Sequence, residues 1–218
     1  MDKMSTIDHV KDPMTSPLRR PLIAGNWKMN LTLAQSVELA RAVKEGSAAA
    51  TGETAVCVPF TAITLVAEVL KGSAVRLGAQ DCYWEASGAY TGEISNGMLV
   101  DAGCSMVIIG HSERRKLFND TDEWVNKKLA AALKAGLTPI VCIGETLEER
   151  ESQKTWRVLE TQLAGGLKGF APADLSKVVV AYEPVWAIGT GKTATPAQAQ
   201  EAHLFVRGQL EKLYGKPF

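Results

Sequence analysis

The sequence predicts an α/β fold in which parallel strands alternate with helices. From Leu22 onward, short apolar runs alternate with longer helical segments, and helix start and stop signals mark the junctions. Polar residues follow the first, fourth and sixth apolar runs. Strands alternating with helices imply a parallel sheet with right-handed crossovers. This pattern alone leaves two architectures open, an open doubly wound sheet and a closed barrel.

Six apolar runs are predicted as strands, and each is followed by a turn or a helix signal. The strands are predicted at residues 22–26, 54–58, 76–80, 106–110, 138–144 and 178–181. The sixth run consists of valines and an alanine, which is typical of a strand covered on both faces of its sheet.

Several helices are predicted to begin with a capping box, in which a polar residue is followed three positions later by Glu or Gln. The boxes pair residues 32 with 35, 120 with 123, 146 with 149, and 195 with 198. Other helices are expected at residues 61–70 and 94–102. The charged residues 148–151 are interpreted as a solvated helix face.

Length and composition indicate one globular domain. The chain has 218 residues, of which 46% are hydrophobic and 22% charged, and its formal net charge is zero. Its Lys and Arg residues are scattered, so nucleic acid and acidic membrane surfaces are not expected as partners. We expect residues 21–218 to form a single domain.

Residues 1–20 lack the apolar core of a secretory signal and are expected to be a disordered leader, so His9 receives no functional role. No apolar run approaches the roughly 20 residues needed to cross a bilayer. The four cysteines are far apart and form no C-x-x-C pair, which predicts reduced packing residues. A cytoplasmic location is therefore expected.

A carboxylate and a glycine-containing loop follow the sixth strand. Glu183 stands at the strand end, and Pro184 cannot continue the ladder. Gly189 and Gly191 then leave backbone N–H groups accessible, so the loop could close over an anion. The loop includes GTGKT, but a nucleotide-binding P-loop requires Gly at the position of Trp186. The P-loop interpretation is rejected for that reason.

The carboxyl ends of parallel strands gather ligands in open sheets and in barrels alike. Asn26, Lys28, His111 and Glu183 are therefore expected to converge. No G-x-G-x-x-G follows the first strand, which argues against a dinucleotide site. The residues by themselves predict an anion-binding enzyme with a carboxylate base and a histidine.

Five segments of the chain closely resemble the triosephosphate isomerase family. They are AGNWKMN (24–30), GAYTGEIS (88–95), VIIGHSERR (107–115), CIGETLEER (142–150) and AYEPVWAIGTGKTATP (181–196). The resemblance implies a (β/α)8 barrel, of which this chain would hold the first six βα units. It also implies an isomerase of glycolysis and gluconeogenesis that interconverts dihydroxyacetone phosphate and glyceraldehyde 3-phosphate without a cofactor or a metal.

The resemblance assigns roles to individual residues. Glu183 would be the general base, and His111 would be a neutral electrophile lying against the N-terminus of the next helix. Lys28 would place a positive charge near the substrate phosphate and the developing enediolate. Asn26 and the backbone N–H of Gly189 would bind substrate.

The resemblance further implies a mobile lid, supporting residues and a homodimer. The lid would comprise Pro184, Val185, Trp186, Ala187, Ile188, Gly189, Thr190, Gly191, Lys192, Thr193 and Ala194. Ser112, Glu113 and Arg114 would support the site. Thr91 and Glu93, in the loop after the third strand, would reach into a partner subunit.

Only six of the family's eight strands are recognised in the sequence. The seventh and eighth units carry a serine and paired glycines that bind phosphate in the family, and no equivalent is recognised here. An inactive barrel fragment and a phosphate-binding module are therefore kept as alternative functions.

Overall fold

A computed structural model describes residues 21–215, in which six parallel strands curl into a partial barrel with helices on its outside. The strands are β1 (Leu22–Asn26), β2 (Glu53–Val58), β3 (Arg76–Ala79), β4 (Met106–Ile109), β5 (Thr138–Ile143) and β6 (Val179–Tyr182). The helices are α1 (Leu33–Gly46), α2 (Ile63–Leu70), α3 (Asn96–Asp101), α4 (Ser112–Leu117), α5 (Asp122–Lys134), α6 (Leu147–Glu151), α7 (Thr155–Gly166) and α8 (Pro196–Tyr214). The predicted leader, 1–20, lies outside the described residues.

The strands are ordered β1-β2-β3-β4-β5-β6, and all pairs are parallel. Asn26 is in register with Cys57, and Ile143 with Tyr182, so the residues after each strand meet at one rim. Within residues 21–215, β1 and β6 each pair with one neighbour. The predicted partial barrel of βα units is confirmed.

Two apolar clusters cover the two faces of the sheet. The concave face carries a small cluster that includes Cys57, Met106 and Ile108, and the larger cluster lies between the sheet and the helices. All four cysteines are buried and unpaired, as predicted. Strand β6 differs from its prediction, because its residues are half-buried rather than covered on both faces. The difference follows from its position at the edge of the described sheet.

Three predicted capping boxes are confirmed. Thr32 caps α1, Thr146 caps α6 and Thr195 caps α8, each with a reciprocal bond from the residue three positions on. The box predicted from Asp120 and Glu123 is wrong. Thr121 caps α5 instead, and its hydroxyl accepts from the Trp124 N–H.

The segment after β5 contains two helices, α6 and α7, where the sequence predicted one that begins at Thr146. The interpretation of residues 148–151 as a solvated helix face holds for Glu148 and Glu151, which are exposed, but not for Arg150, which pairs with the buried Glu145. Across residues 21–215, no helix is long and apolar enough to span a membrane.

Candidate active site

Four side chains from three strand ends form one connected cluster at the carboxyl rim of the sheet. The Glu183 Oε1 lies 3.2 Å from the His111 Nε2, and the Lys28 Nζ lies 2.7 Å from the Glu113 Oε1. His111 and Glu113 are linked in turn, because the Glu113 N–H donates to the His111 Nδ1 at 3.2 Å. The structure therefore brings together the predicted base, histidine and lysine.

Lys28 is held in an unusual backbone conformation just beyond β1. Its φ is +53°, a region that non-glycine residues seldom adopt. Its backbone N–H donates to the Asn26 Oδ1 at 3.0 Å. Asn26 thus orients the turn that carries the lysine, and the Lys28 ammonium leaves the turn toward Glu113.

The hydrogen bonds of His111 define its tautomer. Its Nδ1 accepts from the Glu113 N–H, so in the neutral ring the proton is on Nε2. His111 is the N-cap of α4, and this hydrogen bond caps the start of that helix. The Nε2–H faces the Glu183 carboxylate and is available to donate to a substrate oxygen.

Glu183 is largely shielded from water, with a side chain 13% exposed. Its second oxygen, Oε2, accepts from the Ser112 N–H at 3.1 Å. Its backbone is fixed as well, because the Glu183 N–H donates to the Ile143 carbonyl at 2.8 Å. This carboxylate is positioned by backbone groups of β5 and α4.

A buried thiol lies beside this carboxylate. Burial, and then the nearby charge of Glu183, raise the pKa of the Cys142 thiol well above its usual value. Cys142 therefore stays protonated and contributes no second anion to the site.

The predicted supporting residues divide into two groups. Ser112 and Glu113 contact Glu183, His111 and Lys28 directly. Arg114 points away, and its Nε lies 2.8 Å from the Asp81 Oδ2 and 3.2 Å from the Asp120 Oδ2.

The predicted lid begins as a short turn, Val185–Ala187, and continues as an exposed segment through Gly189 and Gly191. Trp186 is buried, and its indole N–H donates to the Glu145 Oε1 at 3.0 Å. The same oxygen accepts from the Tyr182 hydroxyl and from Arg150. The start of the segment is anchored, whereas Gly189, Thr190 and Gly191 at its tip face solvent.

Thr91 and Glu93 are exposed on the loop that connects β3 to α3. Beside them, Tyr83 packs against both Trp84 and Tyr90, and it is stacked on Trp84 with 4.1 Å between ring centroids. Within the described part of the chain, no group of three or more His, Cys, Asp or Glu side chains could hold a metal.

A family model described as triosephosphate isomerase matches residues 21–217. The chain belongs to the triosephosphate isomerase family. It is 56% identical over 197 residues to the triosephosphate isomerase of Geotalea uraniireducens, covering 90% of this chain and 78% of that protein. The triosephosphate isomerase of Pelobacter propionicus is 54% identical over 191 residues, covering 87% and 76%.

A solved structure supports the same assignment. The crystal structure of triosephosphate isomerase from Bartonella henselae aligns with a TM-score of 0.82 and 42% identity. The alignment covers 91% of this chain and 78% of that one. Fold and family therefore agree, and the comparisons do not favour the two alternatives of a fragment and a phosphate-binding module.

Sequence reasoning missed two features around the site. The first is Glu145, which is fully buried and accepts hydrogen bonds from three donors at the start of the lid. It was missed because it directly precedes a charged run that was interpreted as a solvated helix face. Lys128 is 1% exposed and pairs with Asp81 and Asp120. The sequence contained one indication of this burial, because Lys128 stands three residues after Val125 and so lies on the same buried face of α5.

Proposed function

We propose that this chain interconverts dihydroxyacetone phosphate and glyceraldehyde 3-phosphate in the cytoplasm by proton transfer through an enediolate. The observation that carries the proposal is the contact of the Glu183 carboxylate with His111 Nε2, with Lys28 linked to both through Glu113. A carboxylate base, a neutral donor and a fixed cation are the groups that this reaction requires.

In the proposed mechanism, Glu183 removes a proton from the hydroxyl-bearing carbon next to the substrate carbonyl. The C–H electron pair moves into the C–C bond, and the carbonyl becomes an enediolate oxygen. The Nε2–H of His111 donates to that oxygen in place of Glu183, with which it pairs here. The His111 Nε2 then passes its proton to that oxygen and takes up the proton of the adjacent hydroxyl, so the negative charge moves to the second oxygen. Glu183 returns its proton to the carbon that had carried the carbonyl, and the second oxygen becomes the new carbonyl.

Lys28 and the lid have electrostatic and shielding roles in this proposal. The Lys28 ammonium stabilises the phosphate and the enediolate, and Asn26 supports its turn. The Gly189 N–H binds the phosphate when the segment 184–194 closes. Closure excludes water and so strengthens these interactions.

The test is isomerase turnover by the purified 218-residue chain beside its Glu183→Gln variant. We expect turnover in the parent and a loss of roughly 10²–10⁴-fold in the variant, the range for a lost general base. The variant also controls for host isomerase, because contaminating activity would be equal in both samples. Equal activity, or none in the folded parent, would refute the proposal.

We further propose a homodimer in which Thr91 and Glu93 contact the partner subunit. Support comes from their exposure and from the adjacent Tyr83, Trp84 and Tyr90, since aromatic residues are enriched at interfaces. Light scattering of the parent and of Thr91→Arg tests this. A dimer that becomes monomeric on substitution supports the contact, and a dimer unaffected by it argues against this loop.

A further inference from the structure

The residue directly after β3 contacts the backbone of the lysine turn. Gln80 extends its side-chain amide across the strand ends to β1, where the Nε2 donates to the Lys28 carbonyl at 2.9 Å. The same Nε2 donates to the Cys57 carbonyl at 3.0 Å. One amide group therefore connects the ends of β1, β2 and β3.

Both peptide groups of Lys28 are consequently held by side chains. The Asn26 Oδ1 accepts from the Lys28 N–H, and Gln80 donates to the Lys28 carbonyl. A non-glycine residue with φ of +53° persists only where its surroundings over-determine it. The Gln80 amide supplies one of these restraints from a different strand.

Gln80 is itself fixed by its neighbour in the sequence. Asp81 is 5% exposed, and its side chain pairs with Lys128 at 2.7 Å and with Arg114 at 2.8 Å. Both cations also contact Asp120, which is buried. This four-charge cluster holds the end of β3 against α4 and α5 before any substrate binds, so the amide of Gln80 is preorganised.

We propose that Gln80 is a positioning residue for Lys28, holding the turn so that the ammonium stays directed at Glu113 and the substrate phosphate. Its effect on turnover rests on the proposed isomerase function, whereas its effect on the turn does not. Gln80 does not touch His111 or Glu183 through any of the contacts described above. Its influence on catalysis therefore passes through Lys28.

The first test is amide hydrogen exchange of residues 27–30, which needs no activity. Gln80→Met keeps the length of the side chain but removes both donors, so exchange in this segment should accelerate at least tenfold. The matched control is Gln162→Met, because the Gln162 amide also bonds a strand-end backbone, that of Gly144. The control should leave residues 27–30 unchanged.

A second variant guards against a folding defect in the first. Gln80→Asn retains the amide but shortens its reach by one methylene, so it should give the same local acceleration with less disturbance to packing. Unchanged exchange at residues 27–30 in the folded variants would overturn the proposal. Acceleration spread evenly over the whole sheet would overturn it too, because that is the result of a purely structural role.

Kinetics extend the test if the parent turns over substrate. A displacement of the lysine by about 1 Å predicts a loss of roughly 10²-fold in kcat/KM for Gln80→Met. In a Lys28→Met background the same substitution should cost nothing more, since its effect acts through the lysine. Additive losses would overturn the proposal. An inactive parent would contradict the proposed isomerase function. The role of Gln80 would then be decided by hydrogen exchange at residues 27–30 alone.

Discussion

His111 can serve as a hydrogen-bond donor only if its proton is on the nitrogen that faces the substrate. The Glu113 N–H occupies the His111 Nδ1, which predicts the Nε2–H tautomer. Nitrogen-15 spectra near neutral pH should show a protonated Nε2 and an unprotonated Nδ1. His111→Gln assigns the signals, and His203, on α8, provides an internal comparison. A proton on Nδ1 would contradict the assignment.

Gly144 is required for steric reasons directly after β5, where the chain passes close to Glu183. A Cβ at Gly144 would overlap the Glu183 carbonyl and lie 3.2 Å from the Val185 Cγ2. Gly144→Ala should therefore displace the base and lower the free energy of unfolding by about 1–3 kcal/mol, as overpacking does. Urea denaturation measures the effect.

Gly208→Ala is the matched control for that measurement. Gly208 lies inside α8 with nothing within 4 Å of its added Cβ, so alanine should be neutral or stabilising by up to about 1 kcal/mol. If Gly144→Ala and the parent have equal free energies of unfolding, the ends of β5 and β6 can move apart without loss of stability, and the prediction is wrong.

At the scale of elements, the first turn of the lid segment is anchored by one indole N–H. Trp186→Phe keeps the ring in its pocket but removes the donor to Glu145, whose Oε1 retains Tyr182 and Arg150. The free energy of unfolding should fall by about 1 kcal/mol. Amide exchange in residues 185–191 should also accelerate, because the turn loses its attachment.

Trp156→Phe provides the comparison for the lid turn. Trp156 is 37% exposed and packs on Phe205, so its replacement removes ring area without a bond to the lid. If Trp156→Phe accelerates exchange at residues 185–191 as much as Trp186→Phe does, the Glu145 contact does not anchor the turn.

The start of α5 shows that a local sequence pattern can predict a helix without predicting which residue caps it. Both Asp120 and Thr121 are good N-caps, and Glu123 three residues after Asp120 favoured the aspartate. The structure uses Thr121, because the Asp120 carboxylate is buried against Lys128 and Arg114. That choice depends on residues distant in the fold, and a local pattern does not contain them.

At the scale of the whole molecule, the sequence predicted six parallel βα units and the rim where Lys28, His111 and Glu183 meet. Such convergence follows from parallel topology alone. The alternation of strands and helices left an open sheet and a closed barrel possible, and the barrel followed from the family resemblance. The contacts of Gln80 and the burial of Lys128 could not be predicted in the same way. They depend on hydrogen bonds between residues 52 and 47 positions apart in the chain, which periodicity and motif spacing do not specify.

The buried thiols make the stability of the whole chain sensitive to alkaline pH. Burial raises the pKa of Cys57 from 9.0 to about 12, and the second cause is the charge of Cys104. Between these values the native state binds the thiol proton and the unfolded state does not. Stability from Cys57 is therefore fully present below pH 9 and is lost as the pH rises toward 12.

Urea denaturation of the parent and of Cys57→Ala across pH 7–11 measures this loss. A thiol that keeps its proton in the native state but loses it on unfolding lowers the free energy of unfolding by about 1.4 kcal/mol for each pH unit above its ordinary pKa. Other groups titrate in both proteins, so the difference between the two curves isolates Cys57. The cavity left by alanine makes the variant less stable at pH 7, and the gap should narrow above pH 9. Parallel curves would mean that Cys57 ionises in the native state, contrary to its complete burial.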